Sequence, residues 1–250
     1  MPTGTDIRVS LATTCMGRRH HLERTLPRNL QDNIAFKGLE FVLLDYSSPD
    51  GLGEWVFSNW ATEIRSGLLS YYKLDGQTTF RRSYAKNLAH RLSTGAIVCN
   101  VDADNFTGPN FAKYLYDELS QHTGSFVRLS GRRGTTGRIA LRSSDFVELG
   151  GYDERFDWGW GFEDEDLALR ARSSGLVERI IQSPSVFSEV IRHRDDERVE
   201  HMLFKDKDLS RARHIEMSLH KRLEKDYVAN RDCKWGSARV TKNGMETVVI

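Results

Sequence analysis

The chain of 250 residues has few cysteines and no long apolar run, the features that mark disulfide-rich, zinc-finger and membrane proteins. Its three cysteines, Cys15, Cys99 and Cys233, are odd in number and far apart, which excludes a disulfide framework and a CxxC metal site. The strongly apolar runs span only a few residues, as in 41–44, whereas a membrane helix needs ~20. Residues 1–10 lack the apolar region of a secretory signal. We therefore expect a cytoplasmic protein with no transmembrane segment.

The chain also lacks an excess of charge of either sign. Lys and Arg number 36 against 35 Asp and Glu, so the formal net charge is +1, and a nucleic-acid partner is not expected. Hydrophobic residues make up 39% and charged residues 28%, as in an ordinary globular protein. No repeat, linker or low-complexity tract interrupts the sequence, so we predict a single domain over residues 1–250.

What the first half does contain is a regular alternation of strand-like and helix-like segments. Strands are predicted at 7–14, 39–44, 68–74 and 96–101, and helices at 20–33, 51–60, 83–92 and from Pro109 onward. We expect Pro27 to bend or divide the first helix and Asp50 to cap the second. The pattern predicts an α/β fold in which helices flank a mainly parallel sheet.

The second half is less regular. It predicts strands at 126–130 and 139–141, a helix at 163–173 and a closing hairpin at 234–250 that turns at Asn243-Gly244. Residues 192–231 are densely charged, and this pattern predicts an exposed helix with loops.

Two carboxylates follow the fourth predicted strand, in Asp102-Ala103-Asp104. Residues i and i+2 of an extended segment point the same way, so both acids would face one spot at the carboxyl end of the sheet, where such folds bind ligands. Carboxylates are hard ligands suited to Mg²⁺ or Mn²⁺. A solvated turn is the alternative interpretation.

A second cluster, residues 153–166, holds seven acids and the segment Trp158-Gly159-Trp160-Gly161. An acidic first helical turn would explain part of it, because the helix dipole favours negative charge there. Tryptophan faces offer a stacking surface for a sugar, and an acid crowded by acids and tryptophan acquires the raised pKa that suits a general base.

A third cluster is basic, because Arg81, Arg82 and Lys86 lie where a loop enters the third predicted helix. Helix N-termini and guanidinium groups both favour phosphate binding. An ordinary basic surface is the alternative interpretation.

The segments resemble the nucleotide-sugar glycosyltransferases of the GT-A fold in their order along the chain. A strand ending in an acid is followed by the basic helix start, the strand ending in D-x-D, and the Trp/Gly segment that leads to Glu163-Asp164. Residues 150–166 resemble the WGWGGEDDD motif of the beta-1,4-galactosyltransferase family, with Phe162 in place of a glycine and Glu165 in place of an aspartate. Residues 45–50 look like the D-x-x-S-x-D turn of the bacterial family-two inverting transferases. The resemblance implies a Rossmann-like GT-A domain with a nucleotide-sugar-binding half at 1–105, and an acceptor-binding half at 106–250 that carries the charged C-terminal extension.

The resemblance also implies a metal site. Asp104 would ligate Mn²⁺, with Mg²⁺ as the other possibility. Asp102 would bind the ribose and support the metal site. The segment Ile191-Arg192-His193 with Asp196 is similar to the family's I-R-H-x-x-D, which implies that His193 is a ligand. Val190 stands where the family has a methionine ligand.

The family roles extend to the UDP-sugar donor and to an acceptor. The implied donor contacts are Arg18, Asp45, Phe80, Arg82, Lys86, Asp102, Ala103, Asp104 and Trp160. The implied acceptor contacts are Trp158, Phe162, Glu163 and Asp164. The resemblance also implies, as a hypothesis, that segments 158–170 and 192–207 become ordered when they close over the bound donor.

The implied reaction transfers galactose or a related hexose or hexosamine with inversion, and Asp164 is the general base. The acceptor is a hydroxyl of a glycan, a lipid-linked sugar, a peptide or a small molecule. Two alternatives stay open. A sugar-nucleotide-forming nucleotidyltransferase would need a glycine-rich loop after the first strand, where 15–19 has one glycine. A non-catalytic carbohydrate-binding module would explain the tryptophans but not the D-x-D.

Overall fold

The structure is a computed structural model and describes residues 9–129, 134–181, 184–187, 189–192 and 194–250. In this part of the chain nine strands form one central sheet. They are β1 (Val9–Cys15), β2 (Leu39–Tyr46), β3 (Leu69–Leu74), β4 (Ile97–Asn100), β5 (Ser125–Arg128), β6 (Ile139–Arg142), β7 (Val177–Ile180), β8 (Arg239–Lys242) and β9 (Glu246–Val249). Their order in the sheet is β7-β5-β6-β4-β1-β2-β3-β8-β9.

Helices connect and cover these strands. They are α1 (Arg19–Asn33), α2 (Leu52–Asn59), α3 (Ala61–Ser66), α4 (Arg82–Leu92), α5 (Phe111–Gln121), α6 (Ser143–Glu148), α7 (Glu163–Ser173), α8 (Pro184–Phe187), α9 (Asp195–Val199) and α10 (Lys207–Leu223). A short 3₁₀ helix, Glu154–Phe156, precedes the tryptophan segment.

The four central strands β4, β1, β2 and β3 are parallel, which confirms the predicted α/β sheet. Strands β6 and β8 run against the others, one on each side of this centre. Because the parallel strands end at one edge, the loops after β1, β2 and β4 meet there. The strands of both predicted halves share the one sheet.

Burial on both faces explains the apolar run of the second strand, since all eight residues of β2 are buried. On one face α1 and α5 pack against the sheet through residues such as Leu22 and Leu115. On the other face α4 packs through Ala85, Leu88 and Ala89. Cys15 and Cys99 are buried in the core, as small apolar residues are.

Three local predictions are wrong. Division of α1 at Pro27 is one of them, because the helix is continuous from Arg19 to Asn33. Asp50 caps α1 rather than α2, because its Oδ2 accepts the Arg19 amide at 2.7 Å. Helix α5 begins at Phe111 behind an Asn110 N-cap, so Pro109 lies outside it. The sequence analysis also did not predict α3 or β7.

The charged C-terminal region forms a more specific structure than an exposed helix with loops. The inward face of α10 is polar: Ser210, His214, Ser218 and Lys221 are buried. The hairpin β8–β9 is confirmed, and β8 extends the sheet beside β3. Among the described residues, no helix combines the length and apolarity needed to cross a membrane.

Candidate active site

The D-x-D segment leaves β4 in a turn that helix α1 holds in place. The Thr25 hydroxyl donates to the Ala103 carbonyl at 2.7 Å, and the Asn29 side chain donates to the Asn105 carbonyl at 2.9 Å. Asn100 Nδ2 donates to Asp102 Oδ1 at 2.9 Å. Asp102 and Asp104 are therefore half-buried at the carboxyl edge of the sheet while Ala103 faces inward.

The segment 189–192 lies alongside the D-x-D. The Phe106 amide donates to the Glu189 carbonyl at 3.0 Å, and the Ile191 amide donates to the Asp104 carbonyl at 2.8 Å. The predicted ligand His193 follows two positions later but lies outside the described residues. Among the residues that are described, no group of three or more His, Cys, Asp or Glu side chains is arranged to hold a metal ion.

Asp164 meets Asp102 at Gly137. A Cβ atom built on Gly137 would lie 2.7 Å from Asp164 Oδ2 and 3.3 Å from Asp102 Oδ2. Such a Cβ would be too close to Asp164, so the missing side chain leaves room for both carboxylates. The structure thus brings together the D-x-D and the predicted base, which are far apart in the sequence.

Lys86 joins the two acids that begin α7. Its Nζ is 2.6 Å from Asp164 Oδ1 and 3.0 Å from Glu163 Oε1. Arg82, one turn earlier on α4, lies 3.4 Å from the same Glu163 oxygen. The predicted donor contacts Arg82 and Lys86 are therefore paired with two predicted acceptor contacts. The Lys86 side chain is only 3% exposed.

Electrostatics give the neighbouring acids different proton affinities. Burial raises the pKa of Asp164, and the nearby Glu163 and Asp102 charges add to that rise, although Lys86 opposes it. Burial also acts on Glu163, but the Lys86 and Arg82 charges outweigh it and lower the pKa of that carboxyl. Of the two, Asp164 is the stronger base.

The aromatic residues of the acidic cluster form two environments. Trp160 is half-buried between cations: the Arg82 guanidinium is 5.5 Å and the Lys207 ammonium 5.1 Å from its ring centroid. Trp158 packs instead on Phe204 and His214, with ring centroids 5.4 and 4.8 Å away. Phe162 has a φ of +76°, which glycine would adopt without strain.

Several acids of this cluster hold the site together. Asp153 bonds Lys221 of α10 at 2.6 Å and pairs with Arg155, while Asp166 accepts from Arg170 and Ser218, each at 2.6 Å. Burial opposes ionisation of Asp153, but Arg155 and Lys221 lower its pKa to about 2.

Asp157 has a different structural role. It accepts the amides of Ser83 at 2.6 Å and Tyr84 at 3.1 Å, so it caps α4. Burial raises the pKa of Asp157 to about 7. The sequence pattern did not indicate these roles, because the partners Ser83, Tyr84, Ser218 and Lys221 lie on other elements than the acids that they contact.

A strap formed by residues 197–204 crosses the carboxyl edge of the sheet. The Arg18 guanidinium pairs with Glu197, and the Phe80 amide donates to the His201 carbonyl at 2.7 Å. The Phe204 amide donates to the Trp158 carbonyl at 3.1 Å. The predicted donor contacts Arg18 and Phe80 therefore touch the strap.

Asp45, another predicted donor contact, already has partners. Its Oδ1 accepts the Ser48 amide at 2.7 Å and its Oδ2 accepts the Tyr71 hydroxyl at 2.6 Å. It is 1% exposed, and in this structure it shapes the turn after β2. Contact between Asp45 and a nucleotide stays a prediction.

A cationic cavity that the sequence analysis missed opens beside the D-x-D. It has a volume of about 440 Å³, and its lining holds three arginines (Arg24, Arg192 and Arg194) against one acid (Glu197), together with His20, His21 and Ile191. The Ile191 amide is bonded to the Asp104 carbonyl, so one residue of the cavity is joined to the backbone of the D-x-D turn. The only signal in the sequence was the basic character of 18–24 and 192–194.

Comparison with known proteins supports the fold and the resemblance. Residues 122–216, which include Gly137, Asp164 and the tryptophan segment, match the sequence profile of a family described as the N-terminal domain of galactosyltransferase. The chain has the GT-A fold. The predicted resemblance and fold are confirmed. No curated protein matched the chain.

Solved glycosyltransferase structures share the fold of this GT-A domain. The mannosyltransferase PcManGT from Pyrobaculum calidifontis, in complex with GDP-Man and Mn²⁺, has a TM-score of 0.65 and 21% identity. That match covers 87% of this chain and 64% of that one. TarS 1–349 from S. aureus, in complex with UDP, has a TM-score of 0.61 and 13% identity, covering 87% and 72%. A second structure of TarS 1–349 is 15% identical with a TM-score of 0.57, and the match covers 70% of this chain and 58% of that one. This chain thus spans less than two thirds of PcManGT and of that second structure.

Proposed function

We propose that the domain is a metal-dependent inverting glycosyltransferase that moves a hexose from a nucleotide sugar to an acceptor hydroxyl. The observation that carries the proposal is the approach of Asp102 and Asp164 to Gly137, within 3.3 and 2.7 Å of its Cβ position. A metal-side carboxylate and a basic carboxylate that approach each other at one glycine fit a transfer reaction. There, a leaving group is neutralised on one side and a nucleophile is activated on the other.

The donor set fits a divalent metal ion of the hard type. Asp102 and Asp104 are half-buried carboxylates at one loop, and oxygen ligands suit Mn²⁺ or Mg²⁺. His193 would complete the set, since the chain leading to it is bonded to Asp104 through Ile191. An imidazole ligand favours Mn²⁺. When bound, the ion would neutralise charge on a departing nucleoside diphosphate.

The cationic cavity supports an anionic donor. Among the described residues, Arg24 and Arg192 have no ion-pair partner, and guanidinium groups bind phosphate oxygens well. The galactosyltransferase match over 122–216 supports a UDP-linked galactose or a related hexosamine as the first donor to test. The PcManGT complex adds GDP-mannose to the donors worth testing.

In the proposed step the acceptor oxygen bonds to the anomeric carbon of the sugar as the bond from that carbon to the diphosphate oxygen breaks. The electron pair leaves with the nucleoside diphosphate, and the acceptor proton moves to Asp164. Its raised pKa suits this role, because a base works best when its pKa is near the working pH. Attack opposite the leaving group converts an α-linked donor into a β-linked product.

The proposal is tested by a screen of nucleotide sugars with and without Mn²⁺. The panel comprises UDP-galactose, UDP-glucose, UDP-N-acetylgalactosamine, UDP-N-acetylglucosamine and GDP-mannose. Thermal stabilisation reports binding, because a ligand that binds only the folded state raises Tm, and release of nucleoside diphosphate reports turnover.

We expect one donor to raise Tm and to release nucleoside diphosphate only when Mn²⁺ or Mg²⁺ is present. Binding of free sugars without any turnover would instead favour a carbohydrate-binding module. Formation of pyrophosphate from a sugar phosphate and a nucleoside triphosphate would favour a nucleotidyltransferase. Either result would contradict the proposal.

A further inference from the structure

We propose that Lys86 is a positioning residue that holds Oδ1 of Asp164, so that Oδ2, which lies at Gly137 and has no hydrogen-bond partner among the described residues, is the oxygen that takes the acceptor's proton. This inference rests on the proposed function and adds to it. It assigns separate roles to the two oxygens of one carboxylate, and it gives Lys86 a role other than contact with the donor.

Burial of Lys86 supports a positioning role rather than a donor contact. Its side chain is 3% exposed, two of its three N–H donors are used by Asp164 and Glu163, and its Nζ lies 5.1 Å from the centre of the Tyr152 ring. A lysine in this environment would have to give up a buried ion pair to reach a diphosphate, and a buried carboxylate left unpaired is costly.

Helix α4 holds Lys86 firmly in place. Asp157 accepts two amides of its first turn, and the Asn87 side chain exchanges hydrogen bonds of 2.8 and 2.7 Å with the backbone of Tyr152. Lys86 lies between these two attachments. Its ammonium therefore approaches Asp164 from a fixed direction, and a carboxylate with one oxygen bonded in this way has little freedom to rotate.

Gly137 defines the other side of the carboxylate. The space that its Cβ would occupy lies 2.7 Å from Asp164 Oδ2, and no hydrogen bond within the described residues involves this oxygen. Oδ1 is engaged by the Lys86 ammonium, whereas Oδ2 borders Gly137 without a hydrogen-bond partner of its own in the described part of the chain. The local geometry thus leaves one oxygen of Asp164 available for proton transfer.

The test compares the steady-state kinetics of Lys86→Met, Lys86→Arg and Asp164→Asn, with Lys113→Met as a control. Lys113 forms an exposed pair with Asp117 on α5, so the control makes the same chemical change away from the site. Lys86→Met should lower kcat by about 100-fold, the cost of a misplaced catalytic group, and leave the KM for the donor and the Tm shift with Mn²⁺ and UDP unchanged.

Lys86→Arg keeps the charge and should recover part of the lost kcat, which a merely structural role would not predict when both variants are folded. Gly137→Ala gives a second test that does not depend on the folding of Lys86→Met. Its methyl group would crowd Oδ2 and should lower kcat with donor binding retained.

Each outcome decides a separate point. Full turnover by Asp164→Asn would overturn the proposed base and, with it, this inference. An inactive Asp164→Asn combined with normal kcat in Lys86→Met or Gly137→Ala would overturn the inference alone. A raised donor KM with unchanged kcat in Lys86→Met would also overturn it, since Lys86 would then be a donor contact.

Discussion

The Ile191 amide donates a hydrogen bond to the Asp104 carbonyl at 2.8 Å, which links the segment before His193 to the D-x-D turn. Val190, the preceding residue, forms an antiparallel β-bridge with Asn105, which follows Asp104. This pairing gives the proposed metal site a structural basis, because two segments distant in sequence are joined at the point where both carry a predicted ligand.

Removing the proposed metal ligands should abolish the response to Mn²⁺. We expect Asp104→Ala to lose metal-dependent donor binding and His193→Ala to need a higher Mn²⁺ concentration for half-maximal activity. The measurement is a Mn²⁺ titration of nucleoside diphosphate release. The control is His220→Ala, since His220 is 73% exposed on α10. Wild-type metal dependence in Asp104→Ala would refute the D-x-D site.

Neutralising the proposed base should abolish transfer but not donor binding. Asp164→Asn removes the proton acceptor, which typically costs about 10²–10⁴-fold in rate. The matched control is Glu165→Gln in the same helical turn, where the acid is paired with Arg211 at 3.5 Å and lies outside the proposed catalytic group. Equal losses in both variants would mean that the effect comes from the helix and not from the base.

Breaking the buried pair between α10 and the acidic cluster should destabilise the fold. Lys221→Met leaves Asp153 buried with only Arg155 as an ionic partner, and we expect a loss on the order of 3 kcal/mol in the free energy of unfolding. Urea unfolding measures it. Lys205→Met, at an exposed position, serves as the control and should change the value by less than ~0.5 kcal/mol. An unchanged free energy of unfolding in Lys221→Met would contradict the structural role given to the Lys221–Asp153 pair.

The same pair predicts how stability depends on pH. Arg155 and Lys221 lower the pKa of Asp153 to about 2. A lowered native pKa contributes stability above the pKa of the unfolded state, and this contribution is lost as the pH falls through the native value. The wild type should therefore lose it only between about pH 4 and pH 2. In Lys221→Met, ionisation of Asp153 should contribute less to stability, so the free energy of unfolding should fall less over this pH range. Urea unfolding at a series of pH values measures the difference.

The sheet could be predicted because local pattern determines it. Apolar runs such as 39–44 form buried strands, and α7 begins and ends where its acidic first turn and apolar spacing predict. Strand β7 escaped prediction because Val177 and Ile180 are largely exposed at the sheet edge, so no buried pattern marks it. Asp50 was assigned to the wrong helix, since a cap partner close in space need not be close in sequence.

The candidate site was predicted only in part, for a similar reason. The D-x-D and Glu163-Asp164 stand out as motifs, but their meeting at Gly137 depends on a loop and a strand that no motif marks. The acids Asp153, Asp157 and Asp166 looked functional by crowding, and each proved to have a structural partner. Contacts between distant segments, such as those of Asp153 with Lys221 and of Asp157 with the Ser83 amide, leave no periodic signal in the sequence.

The most direct test of inverting transfer uses water as the acceptor, so the natural acceptor need not be known. The wild-type domain is incubated with Mn²⁺ and the best α-linked donor from the screen, and ¹H NMR follows the released sugar before its anomers equilibrate. Inverting transfer with Asp164 as the base predicts that the β-anomer appears first and that Asp164→Asn releases neither anomer above background. First appearance of the α-anomer, or equal release by Asp164→Asn, would contradict it.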